Sequence, residues 1–254
     1  MSTAIDPLLD FTGQTALVTG GSRGLGREMA LALAARGADV VIASRKTEAC
    51  DAVAAEVREL GRRALAAPCH VGDWDALGTL AEQAIGEFGR IDVLINNAGM
   101  SPLYPALTDV TEALFDKVID VNLKGPFRLS TLLGEHMQRS GGGSILNISS
   151  IAATRASPNS EPYGAAKAGI NALTRSLASA YAPQVRVNSI IVGPFLTDIA
   201  KAWDMEAFEA NASQTMAIPR GGEPAEIVGA ALYLVSRASS FTTAATLRVD
   251  GGSR

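Results

Sequence analysis

The feature that most constrains the fold is an alternation, along all 254 residues, of short apolar runs with amphipathic helical patterns. The apolar runs have the length of buried strands, and the patterns between them repeat apolar residues every three or four positions. Seven such runs occur, at residues 14–18, 40–43, 64–67, 91–95, 144–148, 185–191 and 246–250. Strands joined by helical crossovers form parallel sheets covered on both faces. We therefore predict an α/β fold, a doubly wound parallel seven-stranded sheet with helices on both faces, in a single domain over residues 1–254.

A glycine-rich turn links the first predicted strand to the first helix. Residues 19–26 read Thr-Gly-Gly-Ser-Arg-Gly-Leu-Gly, the helix ends at Gly37, and the second strand begins at Val40. In a βαβ unit, glycines at this turn let the backbone approach a pyrophosphate, whose charge lies against free N–H groups of the helix N-terminus. The turn therefore indicates a dinucleotide site of the Rossmann type.

The same turn also matches Gly-x-Ser-x-Gly, through Gly20, Ser22 and Gly24, which is the nucleophile pattern of the α/β-hydrolases. That chemistry requires an acid and then a histidine later in the chain. The only histidines are His70 and His136, and the last 118 residues contain none. The pattern therefore leaves a hydrolase as a disfavoured alternative.

Composition limits the remaining function classes. The chain is 47% hydrophobic and 19% charged, which suits one well-filled core, and its net charge of -4 argues against a nucleic-acid partner. Cys50 and Cys69 are expected to be buried and unpaired, and no set of residues has metal-ligand spacing, so we expect no metal. The N-terminal residues lack the pattern of a signal peptide, and no run reaches 18 apolar residues. We expect a cytoplasmic protein with no membrane partner.

Polar or small residues follow most of the predicted strands. In a parallel sheet, the carboxyl ends of the strands share one edge, where ligands bind. We therefore expect one site at this edge, which would gather residues 19–26, 44–46, 69–71, 96–99, 149–150 and 193–194.

Tyr163 and Lys167 are four residues apart at the start of a predicted helix, which places a phenol and an ammonium on one face. A free tyrosine titrates near ~10, so its use as an acid or base at neutral pH requires a pKa shift of ~3 units. A neighbouring cation lowers the pKa of a phenol. We therefore predict that Lys167 activates Tyr163.

A long helix is predicted over residues 111–137, and it contains Gly125 and Pro126. A proline within a helix offers no N–H to the carbonyl four residues earlier, which here belongs to Asn122. We expect a kink there, with the Asn122 carbonyl free to bind a water that leads toward Lys167. A plain proline kink with a solvated carbonyl is the alternative.

Together these motifs resemble those of the short-chain dehydrogenase/reductases, over about residues 14–252. The family's Thr-Gly-x-x-x-Gly-x-Gly corresponds to residues 19–26, its Asn-Asn-Ala-Gly to residues 96–99, and its Tyr-x-x-x-Lys to Tyr163 and Lys167. Ser150 lies thirteen residues before Tyr163, and Asn122 lies in the preceding long helix. The order and spacing of all five features match.

The resemblance implies catalytic roles for four residues. Tyr163 would protonate a carbonyl oxygen, or accept the alcohol proton in reverse, and Lys167 would lower its pKa and bind the nicotinamide ribose. Ser150 would donate a hydrogen bond to the developing alkoxide, and Asn122 would serve the proton relay. For Ser150 the alternative is a cap at the strand end, a role that better suits Ser149. A nucleotide-binding scaffold without catalysis is disfavoured, because all four side chains are present.

The resemblance also implies the cofactor contacts. They are Gly20, Ser22, Arg23, Gly24, Leu25, Gly26, Ser44, Arg45, Lys46, His70, Val71, Asn97, Ala98, Gly99, Tyr163, Lys167, Pro194 and Thr197. His70 stands where many members have an aspartate that contacts adenine, so its contact with the base is open.

The cofactor preference depends on the end of the second strand. NAD enzymes carry an acidic residue there, whereas this chain has Ser44 followed by Arg45 and Lys46. With Arg23 in the glycine turn, guanidinium groups suit a 2′-phosphate. The sequence favours NADP(H), with NAD(H) as the alternative.

Residues 195–218 are predicted to form a lid, and residues 101–105 and 151–160 to form other walls of the substrate pocket. The lid has Trp203, Met205 and Phe208 but no cluster of Arg or Lys. We expect a neutral or partly apolar ketone, whose reduction is favoured over alcohol oxidation. A 3-oxoacyl-carrier-protein reductase and an NAD-dependent alcohol dehydrogenase remain alternatives.

Two helices have more apolar or small positions than one covered face needs. The helix after Tyr163 has a second face of Ala168, Ala172, Ser176 and Ser179, and the helix of residues 111–137 has apolar residues on several sides. The resemblance implies pairing of these helices across a two-fold axis and a second dyad near residues 246–254. We predict a homotetramer, or failing that a homodimer.

Overall fold

The computed structural model describes residues 6–198, 200 and 203–254, and its central feature is one sheet of seven parallel strands. The order across the sheet is β3-β2-β1-β4-β5-β6-β7. The predicted doubly wound architecture is confirmed. The strands are β1 (Thr15–Thr19), β2 (Asp39–Ser44), β3 (Ala64–Pro68), β4 (Val93–Asn96), β5 (Gly143–Ser150), β6 (Val185–Val192) and β7 (Thr246–Val249).

Helices cover both faces of the sheet, because successive strand residues point to opposite sides. In β1, Ala16 and Val18 pack with α1, α2 and α8, whereas Leu17 packs with α3, α5 and α6. The five inner strands, β2, β1, β4, β5 and β6, are therefore mostly buried on both faces, which explains their lack of alternation, whereas the edge strands β3 and β7 are partly or largely exposed. The helices are α1 (Gly24–Ala34), α2 (Thr47–Glu59), α3 (Trp74–Phe88), α4 (Glu112–Ile119), α5 (Gly125–Arg139), α6 (Glu161–Tyr181), α7 (Met205–Thr215) and α8 (Val228–Val235).

The predicted helix over residues 111–137 is interrupted. A π-helical turn, Asp120–Lys124, separates α4 from α5, and Pro126 lies in the first turn of α5. Proline interrupts the helical hydrogen bonds because it has no N–H, so the break lies where the kink was expected. Gly125 fits this junction closely, since an added Cβ would overlap the Val71 carbonyl oxygen. The break presents the buried Asn122 side chain to the loop after β4.

The carboxyl ends of β1, β2, β4 and β5 lie side by side, as the parallel register requires. The polar residues that follow these strands are thereby brought to one edge, as predicted. In the part of the chain that the structure describes, no helix is long and apolar enough to cross a bilayer. Cys50 and Cys69 are buried and free, as expected.

Candidate active site

Tyr163 and Lys167 lie in the first two turns of α6, where the Lys167 Nζ is 5.7 Å from the centroid of the Tyr163 ring. The lysine is 4% exposed, and its Nζ donates a hydrogen bond of 2.8 Å to the Ile148 carbonyl oxygen of β5. The tyrosine is half-buried. The strand β5 and the helix α6 together hold the phenol and the ammonium at the sheet edge.

Burial dominates the protonation of both groups. It lowers the pKa of Lys167 to about 8, because a buried ammonium loses its hydration. It raises the pKa of Tyr163 above its ordinary value, and a hydrogen bond with the Ser150 hydroxyl partly offsets this rise. The prediction that Lys167 lowers the pKa of Tyr163 is therefore not met here. In this structure the lysine bonds to a backbone carbonyl, and the serine supplies the lowering.

Ser150 ends β5 and is 8% exposed. Its Oγ accepts a hydrogen bond of 3.2 Å from the Ala152 N–H, at the start of the short 3₁₀ helix Ile151–Ala153. Ser149 instead donates to the Lys167 carbonyl oxygen at 3.3 Å. The cap at the strand end thus belongs to Ser150, and the assignment of that role to Ser149 is wrong, because alternate strand residues face opposite sides.

Asn122 is fully buried and forms a reciprocal pair with the backbone of Met100. Its Nδ2 donates to the Met100 carbonyl oxygen at 2.8 Å and to the Val118 carbonyl oxygen at 2.9 Å, while its Oδ1 accepts from the Met100 N–H at 3.2 Å. Gly99 lies between the catalytic groups, since an added Cβ would be 3.0 Å from the Asn122 Oδ1 and 3.6 Å from the Lys167 Nζ. The side chain of Asn122 therefore fixes the loop after β4.

Several positions of the glycine turn have no room for a side chain or have a backbone conformation that favours glycine. Gly20 and Gly24 have φ angles of +62° and +52°, which only glycine adopts without strain. At Gly26 an added Cβ would overlap the Gly20 carbonyl oxygen and lie 2.5 Å from the Asn97 Nδ2. The N-cap residue of α1, Arg23, makes no side-chain capping bond. The turn thus leaves a narrow, side-chain-free approach to the N-terminus of α1.

Thr19 and Asn97 bind the glycine turn to the loop after β4. The Asn97 Nδ2 donates to the carbonyl oxygens of Thr19 and Gly20 at 3.0 and 3.2 Å. The Thr19 Oγ1 accepts from the N–H groups of Asn97 and Ala98 at 3.0 and 3.1 Å. The two cofactor loops of the sequence motifs therefore form one unit. Sequence reasoning placed Thr19 at the start of the glycine-turn motif but missed this bridging role.

At the far end of the site, the Ser22 Oγ donates to the Ser44 Oγ at 2.9 Å, which joins the glycine turn to the end of β2. Arg45 and Lys46 are exposed and form no ion pair within the described ranges. Arg23 differs from expectation, because its guanidinium is paired with Asp198 at 3.2 Å. The Arg23 guanidinium therefore links the glycine turn to the segment after β6.

The remaining predicted contacts lie around the same edge. His70 is exposed, and its Nδ1 accepts a hydrogen bond of 3.2 Å from the Gly72 N–H, whereas Val71 is buried. Thr197 approaches the glycine turn, since its Cγ2 lies 3.3 Å from the position of a Cβ on Gly24. A cleft of about 530 Å³ opens between the glycine turn and the segment that contains Thr197. It is lined by Ser22, Arg23, Gly24, Arg27, Thr197 and Met205, among others.

Comparison with known proteins shows to which family the chain belongs. A family model described as enoyl-(acyl carrier protein) reductase matches residues 20–254. Dehydrogenase/reductase SDR family member 4 of Homo sapiens is 35% identical over 249 residues, which cover 97% of this chain and 88% of the relative. The chain belongs to the short-chain dehydrogenase/reductase family. A further relative, the 7alpha-hydroxysteroid dehydrogenase of Escherichia coli K12, is 36% identical over 245 residues, covering 96% of this chain and 95% of the relative.

Solved structures give the same result for this short-chain dehydrogenase/reductase. A 7alpha-hydroxysteroid dehydrogenase complexed with NADH and 7-oxo glycochenodeoxycholic acid superposes with a TM-score of 0.93 and 34% identity, covering 99% of this chain and 98% of that one. An NADPH-dependent 3-quinuclidinone reductase from Rhodotorula rubra gives a TM-score of 0.91 at 29% identity, covering 99% and 97%. The protein is thus an NAD(P)-dependent oxidoreductase.

The residues of this short-chain dehydrogenase/reductase fit a dinucleotide. The glycine turn provides the space that a pyrophosphate needs, and the α1 N-terminus provides the positive end of a helix dipole. Gly99 leaves room beside the Lys167 Nζ, where a ribose hydroxyl could accept a hydrogen bond. The same edge of the sheet therefore suits both phosphate binding and proton transfer.

The lowered pKa of Lys167 predicts a pH dependence of stability. The unfolded chain holds this proton up to about pH 10.5, whereas the folded protein releases it near pH 8. Between these values the unfolded state binds more protons, so stability rises with pH. We expect the free energy of unfolding of the wild type, relative to Lys167→Met, to rise by about 2 kcal/mol between pH 7 and pH 9.5. Urea unfolding at both pH values measures it, and a constant or falling difference would contradict it.

Proposed function

We propose that this enzyme reduces a ketone to a secondary alcohol with NADP(H), the reverse oxidation being available to the same residues. The observation that carries the proposal is the arrangement of Tyr163, Ser150 and Lys167 at the carboxyl end of β5, with the loop after β4 between these residues and the glycine turn. A proton donor, a hydrogen-bond donor and a buried cation at one point suit a carbonyl oxygen that gains negative charge.

Each catalytic residue has a distinct part in this reaction. The nicotinamide, when bound, would supply the hydride. Tyr163 donates its phenolic proton to the oxygen of the substrate, while Ser150 donates a hydrogen bond to the same oxygen. Lys167, with a pKa of about 8, is mostly charged at neutral pH, and its ammonium would bind the nicotinamide ribose hydroxyls. The main-chain carbonyl of Asn122 is proposed to hold a water that returns a proton toward Lys167.

The apolar side chains on the predicted walls of the site favour a neutral or partly apolar ketone as substrate. Leu103, Met205 and Ile218 are exposed apolar side chains on the predicted walls and lid. Trp203 and Phe208 form an aromatic pair within the lid, with ring centroids 5.1 Å apart and ring planes tilted by 34°. Residues 199, 201 and 202 of the predicted lid lie outside the described residues.

A preference for NADP(H) is supported by the exposed Arg45 and Lys46 after β2, and by the lack of an acidic residue at Ser44. A 2′-phosphate carries about two negative charges and binds guanidinium groups in bidentate pairs. The related structure with NADH makes NAD(H) the second candidate cofactor.

Turnover assays test the proposed function. Absorbance of the reduced nicotinamide is followed with a panel of apolar ketones, a steroid ketone, a 3-oxoacyl thioester and a sugar phosphate, each with NADPH and with NADH. We expect the highest kcat/KM with a neutral ketone and NADPH. A clear preference for the sugar phosphate, or no carbonyl reduction with either cofactor, would contradict the proposal.

We also propose a homotetramer, or failing that a homodimer. Phe115 on α4 and Phe127 on α5 are 45% and 38% exposed, and Phe241, before β7, is fully exposed. These two apolar areas match the two expected interfaces. Val118, Leu129 and Leu133 are instead buried in the protein's own core, so they do not contribute. Light scattering at micromolar protein should give four times the 26.3 kDa chain mass, or twice it, and a monomeric mass would contradict assembly.

A further inference from the structure

A second tyrosine forms a double hydrogen bond with the helix that carries Tyr163. Tyr104, in the connection between β4 and α4, is 7% exposed. Its hydroxyl oxygen accepts a hydrogen bond of 2.9 Å from the Glu161 N–H, and the same hydroxyl donates a short hydrogen bond to the Glu161 carboxylate. The two residues are 57 positions apart in the chain. The contact therefore joins two separate walls of the site.

This contact replaces the usual cap of α6. Glu161 is the first residue of the helix, and the N–H groups of a first turn have no helical partners. Ser160, at the N-cap position, makes no side-chain capping bond. Tyr104 supplies the missing acceptor from a distant loop. The Glu161 carboxylate also accepts from the Asn159 N–H at 3.3 Å, which orders the turn before the helix.

The charge states of the pair keep it intact at neutral pH. Burial and the hydrogen bond to Glu161 raise the pKa of Tyr104, and the hydrogen bond from Tyr104 lowers the pKa of Glu161. The phenol therefore stays protonated and the carboxylate stays ionised over the working range of the enzyme. A phenol that donates to a carboxylate is a charge-assisted bond, stronger than a neutral pair.

Both ends of the contact lead to catalytic groups. Tyr163 follows Glu161 by two residues in the same helical turn. On the other side, the loop that reaches Tyr104 begins with Asn97 and Gly99, which contact the glycine turn and lie beside the Lys167 Nζ. A shift of the first turn of α6 would move the Tyr163 hydroxyl relative to Ser150, and a displacement of ~1 Å can cost ~10²-fold in rate.

We propose that Tyr104 is a positioning residue, which fixes the start of α6 through Glu161 and thereby sets the place of the Tyr163 hydroxyl. Tyr104 itself does not touch the reacting atoms in this role. The proposal rests on the proposed carbonyl reduction, in which Tyr163 donates the proton.

The test compares Tyr104→Phe with Glu161→Gln and with Tyr181→Phe. Phenylalanine at position 104 preserves the ring and removes both hydrogen bonds. Glutamine at position 161 keeps a side-chain oxygen that accepts from the Tyr104 hydroxyl, and it keeps the main-chain N–H that donates to that hydroxyl. Tyr181 is the matched control, because it ends the same helix and its hydroxyl donates to the Thr131 carbonyl oxygen at 3.4 Å. We expect Tyr104→Phe to lower kcat about 10-fold with KM and the cofactor Kd within about twofold, and the other two variants to keep most of their kcat.

Hydrogen exchange gives a readout that needs no substrate. In Tyr104→Phe, amides of residues 159–167 should exchange about 10-fold faster than in the wild type, and those of Tyr181→Phe should not change. An unchanged kcat, an equal loss in Tyr181→Phe, or unchanged exchange would overturn the positioning role. A wild type that reduces no ketone would instead refute the proposed function, while faster exchange in Tyr104→Phe would still support the fixing of α6 by Tyr104.

Discussion

Replacing Tyr163 by phenylalanine should lower kcat for ketone reduction by ~10²-fold or more while NADPH still binds. In the proposed reaction the phenol is the proton donor, and it shares a hydrogen bond with Ser150 at the end of β5. Phenylalanine keeps the ring, which lies 5.7 Å from the Lys167 Nζ, and removes only the hydroxyl. The loss should therefore fall on the chemical step and leave the glycine turn unaffected.

Steady-state kinetics with the best ketone of the panel measure this loss, and NADPH fluorescence titration measures cofactor binding. Tyr233→Phe is a suitable control, because its exposed hydroxyl pairs with the Thr242 Oγ1 at 3.1 Å, away from the catalytic residues. If Tyr163→Phe retains more than about a tenth of the wild-type kcat, proton donation by Tyr163 is wrong.

The second large effect is expected at Arg45. Arg45→Asp should raise the KM for NADPH at least ~10-fold and leave the KM for NADH unchanged or lower, because an attraction to the 2′-phosphate becomes a repulsion. Arg45 is exposed and forms no ion pair within the part of the chain described, so its guanidinium is available. Arg23 is paired with Asp198 at 3.2 Å, and we expect Arg23→Ala to have the smaller effect.

Kinetics with both cofactors and one ketone give this comparison. Arg237→Asp makes the same change of charge at an exposed position in the short 3₁₀ helix after α8, which packs against residues 7–9 before β1, and should not alter the ratio of the two KM values. Equal use of NADPH and NADH by the wild type would show that no 2′-phosphate site exists at the end of β2.

The fold was largely predictable because its five inner strands are mostly buried on both faces. Runs such as residues 40–43 and 93–95 contain only apolar residues, and the structure has β2 and β4 over them. The glycine turn was predictable for a different reason, since Gly20 and Gly26 meet local steric limits that a sequence displays directly. The backbone preferences of individual residues and the periodicity of apolar residues can both be read from the sequence alone.

What could not be predicted depends on contacts between distant residues. A kink near Asn122 was expected from Pro126, whereas its π-helical form and the packing of Gly125 on Val71 were not, and the pairing of Arg23 joins residues 175 positions apart. The raised pKa of Tyr163 follows from burial, which depends on the whole fold. The sequence motifs specified which residues take part, whereas their mutual contacts required the three-dimensional structure.

The side chain and the main-chain oxygen of Asn122 have different roles. Its amide donates both hydrogens, to Met100 and Val118, and its oxygen accepts from Met100, so the side chain has no donor left for a reaction. The proposed proton relay uses a main-chain oxygen, an atom that every amino acid has. Selection for asparagine here would then act on loop architecture, and an aspartate of the same shape would lose both donations inside the protein. If a substitution of Asn122 lowers activity, the first explanation is therefore a misplaced loop after β4, and not the loss of a catalytic group.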